Sequence, residues 1–264
     1  NLVTGIMTAH MDSIPLLAIT GQVRSSLLGR DAFQETDIVG ITVPITKGNY
    51  LVQNIKDIPR IIKEAYFIAS TGRPGPVLVD IPNDIQQQEI SYDEFNKLFD
   101  KEIQLEGYDP TYVGHPVQIK RALSLIKKAK KPLIIAGAGV IKSQASKELF
   151  ELANKMDMPV TTTLLGLGAF PENHDLSLGM LGMHGTVPAN YATDEADLVI
   201  AAGIRFDDRI AGNPSKFCER AKIIHIDIDP AEIDKNKKAD VPIVGDLKNV
   251  LSEINKELEP QDHK

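Results

Sequence analysis

The sequence predicts an α/β protein, with a doubly wound parallel sheet of six strands in its second half and part of another α/β domain before it. Two observations carry this. After residue 115, short apolar runs alternate with segments of helical periodicity, the pattern of strand–helix–strand units on a parallel sheet. In the first third, two further apolar runs flank an amphipathic helix. Taken in order, residues 14–20 (IPLLAIT) are short, apolar and followed by Gly21, as in a buried strand entering a loop. A loop-rich stretch follows, and the next strand is expected late. Residues 57–71 place Ile58, Ile61, Ile62, Ala65, Ile68 and Ala69 at helical spacing, with Asp57 and Pro59 suited to the helix start. Gly72 to Gly75 break the chain, and residues 76–81 (PVLVDI) read as a second buried strand.

Residues 83–114 change character, with a glutamine run, several acids and weak apolar periodicity, and are expected to form a linker. The domains are therefore expected at 1–82 and 115–264. In the second, helices are expected over 116–130, 143–156, 214–220 and 246–258, with strands over 132–136, 159–163, 197–202, 222–227 and 241–244. Together these imply a Rossmann-like sheet with helices on both faces.

Composition narrows the function. The chain has 264 residues, 42% hydrophobic and 25% charged, a soluble globular profile with room for one large or two moderate domains. Its 29 basic and 36 acidic residues give a net charge of −7. Without a basic stripe, nucleic acid is not an expected partner. No run approaches ~18 apolar residues, so no membrane partner is expected either. One cysteine, Cys218, leaves no internal disulfide and fits a reducing, cytoplasmic setting. The six histidines never stand at ligand spacing with a second His or Cys, and no metal site is expected. The chain opens at Asn1 directly into an amphipathic run, Leu2 to Met11, and is expected to be a piece of a longer protein.

In a doubly wound sheet, ligands bind beyond the carboxyl ends of the strands. Gly137, Ala138 and Gly139 follow one strand; Thr163, Leu164 and Leu165 follow the next. Gly203, Arg205, Asp207 and Arg209 follow a third, Asp227 and Ile228 a fourth, and Gly245 and Asp246 the last. Glycines admit a ligand to the backbone, acids accept hydroxyl donors of a ribose, and arginines pair with a pyrophosphate. Leu181, Gly182, Met183 and His184 add an apolar stretch suited to a flat ligand. Taken singly, each turn is ordinary strand-to-loop chemistry, since GAG at 137–139 is only a fragment of a dinucleotide fingerprint with Lys142 where Gly or Ala belongs. Five such turns on one edge point to a nucleotide.

Several longer motifs add to this: MDSIPLLAITGQV, GRDAFQETDIVGIT, ITKGNYLV, STGRPGPVLVDIPND, LGLGAFP, GMLGMHGT, GIRFDDR and HIDIDPAEI. Across nearly the whole chain they resemble the catalytic subunit of the acetolactate (acetohydroxyacid) synthase family. That resemblance implies a thiamine-diphosphate-dependent transferase. It condenses pyruvate with pyruvate or 2-ketobutyrate, with loss of CO2, in branched-chain amino acid biosynthesis. It also implies FAD bound by this chain, and thiamine diphosphate with Mg²⁺ in the full-length enzyme. Residues 1–82 then resemble the end of the pyrimidine-binding domain and 115–264 the central flavin domain. The family's catalytic Glu and its Mg²⁺–diphosphate motif have no counterpart here, so this chain alone is expected to be inactive.

By motif, Arg73 resembles an arginine reaching the flavin, and the strand-end residues above resemble the flavin contacts. Gln22, Phe33, Gln34 and Lys47 resemble residues of the active-site entrance. Arg209 resembles the arginine holding the second keto acid's carboxylate. Arg24 stands where many members carry proline. The resemblance further implies a homodimer or larger assembly with a regulatory small subunit. Alternatives are a related flavin-containing enzyme such as glyoxylate carboligase or pyruvate oxidase, or a non-catalytic nucleotide-binding module.

Overall fold

Buried apolar runs become the strands of two parallel sheets in the computed structural model, which describes residues 1–103, 105–213 and 215–260. The chain divides into two units, Asn1–Pro110 and Thr111–Lys264.

The first unit contains α1 (Leu2–Met11), β1 (Leu16–Gln22), α2 (Ile38–Thr42), β2 (Gly48–Leu51), α3 (Ile58–Ser70), β3 (Pro76–Pro82), α4 (Asn83–Gln86) and α5 (Tyr92–Phe99). The strand order is β1-β3-β2, all parallel. β3 is central and buried on both faces, which is why its sequence is apolar without alternation except at Asp80. Val77 and Val79 meet Ile61, Ala65 and Ile68 of α3 on one face, while Leu78 meets Ile6 of α1 on the other. A strand, β2, lies inside the stretch expected to be only loops. Its four residues, GNYL, are too few and too polar to show a pattern. Asp57 precedes α3 as expected, yet its carboxylate caps no backbone N–H and lies 3.4 Å from Arg60 instead.

The stretch expected as a linker, 83–114, carries α4 and α5, and residues 83–110 belong to the first unit. Ser91 caps α5 by accepting from Glu94 N–H. Lys63 Nζ donates to the Phe99 and Lys101 carbonyls at 2.6 and 2.8 Å, tying α5 to α3.

The second unit contains α6 (Pro116–Ile126), β4 (Pro132–Ala136), α7 (Ala138–Lys142), α8 (Ser146–Lys155), β5 (Val160–Thr162), β6 (Ser177–Met180), α9 (Val187–Glu195), β7 (Leu198–Ala202), α10 (Asp208–Ala211), β8 (Lys222–Asp227), β9 (Val241–Val244) and α11 (Leu247–Lys256). Its sheet runs β6-β5-β4-β7-β8-β9, all parallel. The chain thus winds outward from β4 in one direction, then returns and winds outward from β7 in the other. Alternate residues face opposite layers. Ile134 and Ala136 of β4 join Ile126, Leu149, Leu152 and Leu251 in one core, while Leu133 and Ile135 join Ala189, Phe206 and Cys218 in the other.

Three expectations are corrected here. The helix expected over 143–156 begins only at Ser146, as α8, because Gln144 stands in the left-handed region (φ 55°); α7 is a separate short helix before it. The sixth strand, not located in the sequence, is β6. The helix expected over 214–220 is absent: residues 215–220 form turns, Cys218 has φ 49°, and Pro214 lies outside the described residues. Asn213 Oδ1 accepts from Ser215 N–H and Oγ and opens the turn, and the left-handed Cys218 ends it before a helix can form. No described helix is long and apolar enough to cross a membrane.

Candidate nucleotide site at the carboxyl edge of the second sheet

The strand order reverses between β4 and β7, and the loops leaving those strands are in direct backbone contact. Gly137 N–H donates to the Ala202 carbonyl at 2.9 Å, and Gly139 N–H to the Gly203 carbonyl at 3.3 Å. A Cβ on Gly137 would stand 2.2 Å from the Gly203 oxygen, one on Gly139 2.6 Å from Gly203 Cα, and one on Gly166 2.2 Å from the Ala136 oxygen. Gly203 itself has φ +62°. These glycines are therefore required by loop-on-loop packing, and the approach of a ligand is not needed to explain them. They form a side-chain-free floor at the point where doubly wound sheets bind ligands.

Around that floor the structure sorts the expected residues into two groups. Some are spent locally. Thr163 Oγ1 accepts from Gly166 N–H at 3.1 Å and caps the turn at Leu164–Gly166. Asp246 caps α11 through Asn249 N–H, and Gly245 N–H donates to the Asp227 carbonyl at 3.0 Å. Leu181 is buried, and Gly182 is clamped by Asn190, whose amide both accepts from its N–H and donates to its carbonyl. Ala138 opens the short α7.

Others face outward. Leu164, Leu165 and Met183 are 67%, 48% and 74% exposed, an unusual exposure for large apolar side chains on two neighbouring turns of one edge. His184 is exposed beside them. Arg205 Nη2 lies 3.3 Å from Asp207 Oδ2, both half-buried, while the other Asp207 oxygen accepts from Arg209 N–H. The Arg209 guanidinium is exposed, 3.9 Å from Asp208. Asp227, almost buried at the end of β8, accepts from Asp229 N–H at 2.9 Å, and Ile228 follows it. One contributor was missed by sequence reasoning. Thr162 Oγ1, buried at the tip of β5, has no hydrogen-bond partner. A buried hydroxyl left so is the kind of group a bound polar ligand satisfies. Apolar crests, an arginine, a carboxylate and an orphaned hydroxyl on one edge suit a nucleotide that carries a flat apolar ring, as FAD does.

In the first unit, Gln22 ends β1, and its Nε2 donates to Asp80 Oδ2 at 3.0 Å and to the Thr36 carbonyl at 2.7 Å. Phe33 is 89% exposed and Gln34 has φ 62°. Their loop is organised by Glu35, whose carboxylate accepts from Gly29, Arg30 and Ala32 N–H. Those bonds, Gly29's foremost, hold its carboxyl below the usual range. Neither Asp80 nor Glu35 was singled out from the sequence, because their partners are set by the fold. Lys47 stands elsewhere. It precedes β2, beside Pro76 at the start of β3, whereas Gln22 pairs with Pro82 at its end. Six residue steps along β3 separate the two ends, roughly 20 Å. Its Nζ donates to the carbonyls of Ile68 and Thr71 and to Tyr108 Oη. Arg73 Nε donates to Ser13 Oγ at 2.9 Å.

Residues 119–254, which run from α6 to α11 and hold all six strands of the second sheet, match the family model of the thiamine pyrophosphate enzyme central domain. The chain belongs to the thiamine pyrophosphate enzyme family. It is 53% identical over 259 residues to a probable acetolactate synthase large subunit of Methanococcus aeolicus, covering 98% of this chain and 43% of that protein. It is 54% identical over 254 residues to the acetolactate synthase large subunits of Buchnera aphidicola subsp. Schizaphis graminum and Corynebacterium glutamicum. These matches cover 96% of this chain and 44% and 40% of those proteins. The chain thus spans less than half the length of these relatives.

Proposed function

We propose that this chain is part of an acetolactate synthase catalytic subunit, and that its second unit binds FAD at the carboxyl edge of the six-stranded sheet. The observation that carries the first statement is identity above 50% along almost the entire chain to large subunits of that name. The second rests on the crest of exposed apolar side chains beside Arg205, Asp227 and the unpartnered Thr162 hydroxyl. In this reading Leu164, Leu165 and Met183 cover the flat ring, Asp227 accepts from ribose hydroxyls and Arg205 neutralises the pyrophosphate. Arg209, free to swing from the rim, clamps the carboxylate of the second keto acid.

The whole enzyme joins pyruvate to pyruvate or 2-ketobutyrate with release of CO2, in the cytoplasm, as a homodimer or larger assembly with a regulatory small subunit. Thiamine diphosphate, held with Mg²⁺ by parts outside these residues, supplies the carbon nucleophile and electron sink when bound. The condensation has no net redox change, so the flavin's part is to order the loops it touches.

Titration of the chain with FAD, followed by flavin fluorescence and thermal unfolding, tests the site. Saturable binding that raises the melting temperature, weakened about 10-fold or more in Arg205→Ala and Asp227→Ala, is the expected outcome. Binding unchanged in both variants sinks the assignment.

A further inference from the structure

The loop that presents Arg205 and Asp207 is fastened from beneath by a histidine that the site does not otherwise use. His225 is the fourth residue of β8 and wholly buried. Its Nε2 lies 2.8 Å from the Ile204 carbonyl, across from its own strand, and its ring meets Phe206 edge-on at 5.1 Å between centroids. A carbonyl only accepts, so Nε2 carries the proton and the ring is the neutral Nε2–H tautomer, with Nδ1 bare. Consistent with that, Nδ1 is buried without a partner.

The next carbonyl of the loop, that of Arg205, accepts from Asn236 Nδ2 at 3.0 Å. Phe206 then adopts φ 49°, a left-handed conformation that is strained for a non-glycine residue and persists only where its surroundings over-determine it. Two side-chain donors on consecutive carbonyls, with a buried aromatic ring locked against one of them, supply that determination. The turn leaves Ile204 and Phe206 facing the core and Arg205 and Asp207 half-exposed in mutual contact.

From this arrangement we infer that His225 is a positioning residue, with Asn236 as its exposed counterpart. The imidazole Nε2–H fixes the Ile204 carbonyl, forces the left-handed turn at Phe206 and so presets the Arg205–Asp207 pair at the nucleotide edge. The consequence for FAD rests on the reading of that edge given above; the fastening of the loop does not. Glutamine reaches a similar depth and keeps a terminal N–H donor, whereas leucine fills the volume without one. His225→Gln is therefore the rescuing variant and His225→Leu the disabling one.

Three readouts on the 264-residue chain separate the outcomes. Nitrogen-15 spectra of the imidazole should show Nε2 protonated and Nδ1 bare, and the opposite tautomer overturns the proposal. Amide hydrogen exchange across 203–209 should speed up at least 10-fold in His225→Leu and stay within 3-fold of wild type in His225→Gln. Equal protection in the leucine variant overturns the fastening whatever FAD does. FAD affinity should fall about 10-fold in His225→Leu and recover in His225→Gln. Should the loop loosen while FAD affinity holds, the fastening does not preset the site, and the inference fails at that step. Should wild type bind no FAD, the nucleotide reading falls, and the exchange and tautomer results still decide the role of His225.

Discussion

Replacing Gly137 by alanine tests the glycine floor most directly. The new Cβ would lie 2.2 Å from the Gly203 oxygen and 2.6 Å from Ile204 Cγ2, about 1 Å inside contact with backbone that cannot rotate away. Overpacking of this kind costs roughly 1–3 kcal/mol. Separating the loops also stretches the bonds from Gly137 to Ala202 and from Gly139 to Gly203, each worth ~1 kcal/mol. Stiffening of the unfolded chain returns about 0.4–1 kcal/mol. The net loss is about 2–4 kcal/mol, or about 5–15 °C in melting temperature for a chain of this size. Gly168→Ala is the control within the same unit. It has φ +87° but meets nothing within 4 Å, so it bears backbone strain alone, about 1–2 kcal/mol. Urea and thermal unfolding followed by circular dichroism measure both. A Gly137→Ala variant within 1 kcal/mol of wild type, or milder than Gly168→Ala, refutes the claim that packing fixes this glycine.

Lys47→Met removes the donor to Ile68, Thr71 and Tyr108 and should destabilise the first unit by about 2–3 kcal/mol in urea unfolding; normal stability would show that the contacts are incidental. Burial holds His225 below its ordinary imidazole value, against the opposing pull of the Ile204 carbonyl, Asp234 and Glu232. The unfolded chain therefore takes up this proton first. The stability linked to it is complete above pH 6.5 and falls below that value by up to about 1.4 kcal/mol per pH unit. His225→Gln should lack that slope when urea midpoints are compared at pH 7.5 and 5.5, and equal slopes would count against it.

Much of this was legible from residue order alone, for reasons that differ by element. Residues 132–136, 222–227 and 241–244 become β4, β8 and β9 without adjustment: β4 is buried throughout and has to be continuously apolar, while β8 and the edge strand β9 carry enough branched apolar residues to show as strands. β2 and β6 escaped because GNYL and SLGM mix glycine and polar residues in four-residue strands, and β6 also pairs through a register shift at Val160/Thr161. The carboxyl-edge residues could be read because the fold class fixes where strand ends gather. What each side chain does there could not. Thr163 and Asp246 are caps, Glu35 holds a loop and Asp80 fixes Gln22. Those roles depend on partners chosen by tertiary structure.

The glycine floor also bears on how this edge can diversify. Where three loops rest on one another through main-chain atoms, no substitution can add a contact from below without prising the loops apart, and no deletion of side-chain atoms is left to make. The floor is consequently a fixed datum. Changes in what the edge recognises fall to the crest above it, to Leu164, Leu165, Met183 and Arg205. There a new side chain alters the ligand's surroundings and leaves the crossing of the two halves of the sheet undisturbed.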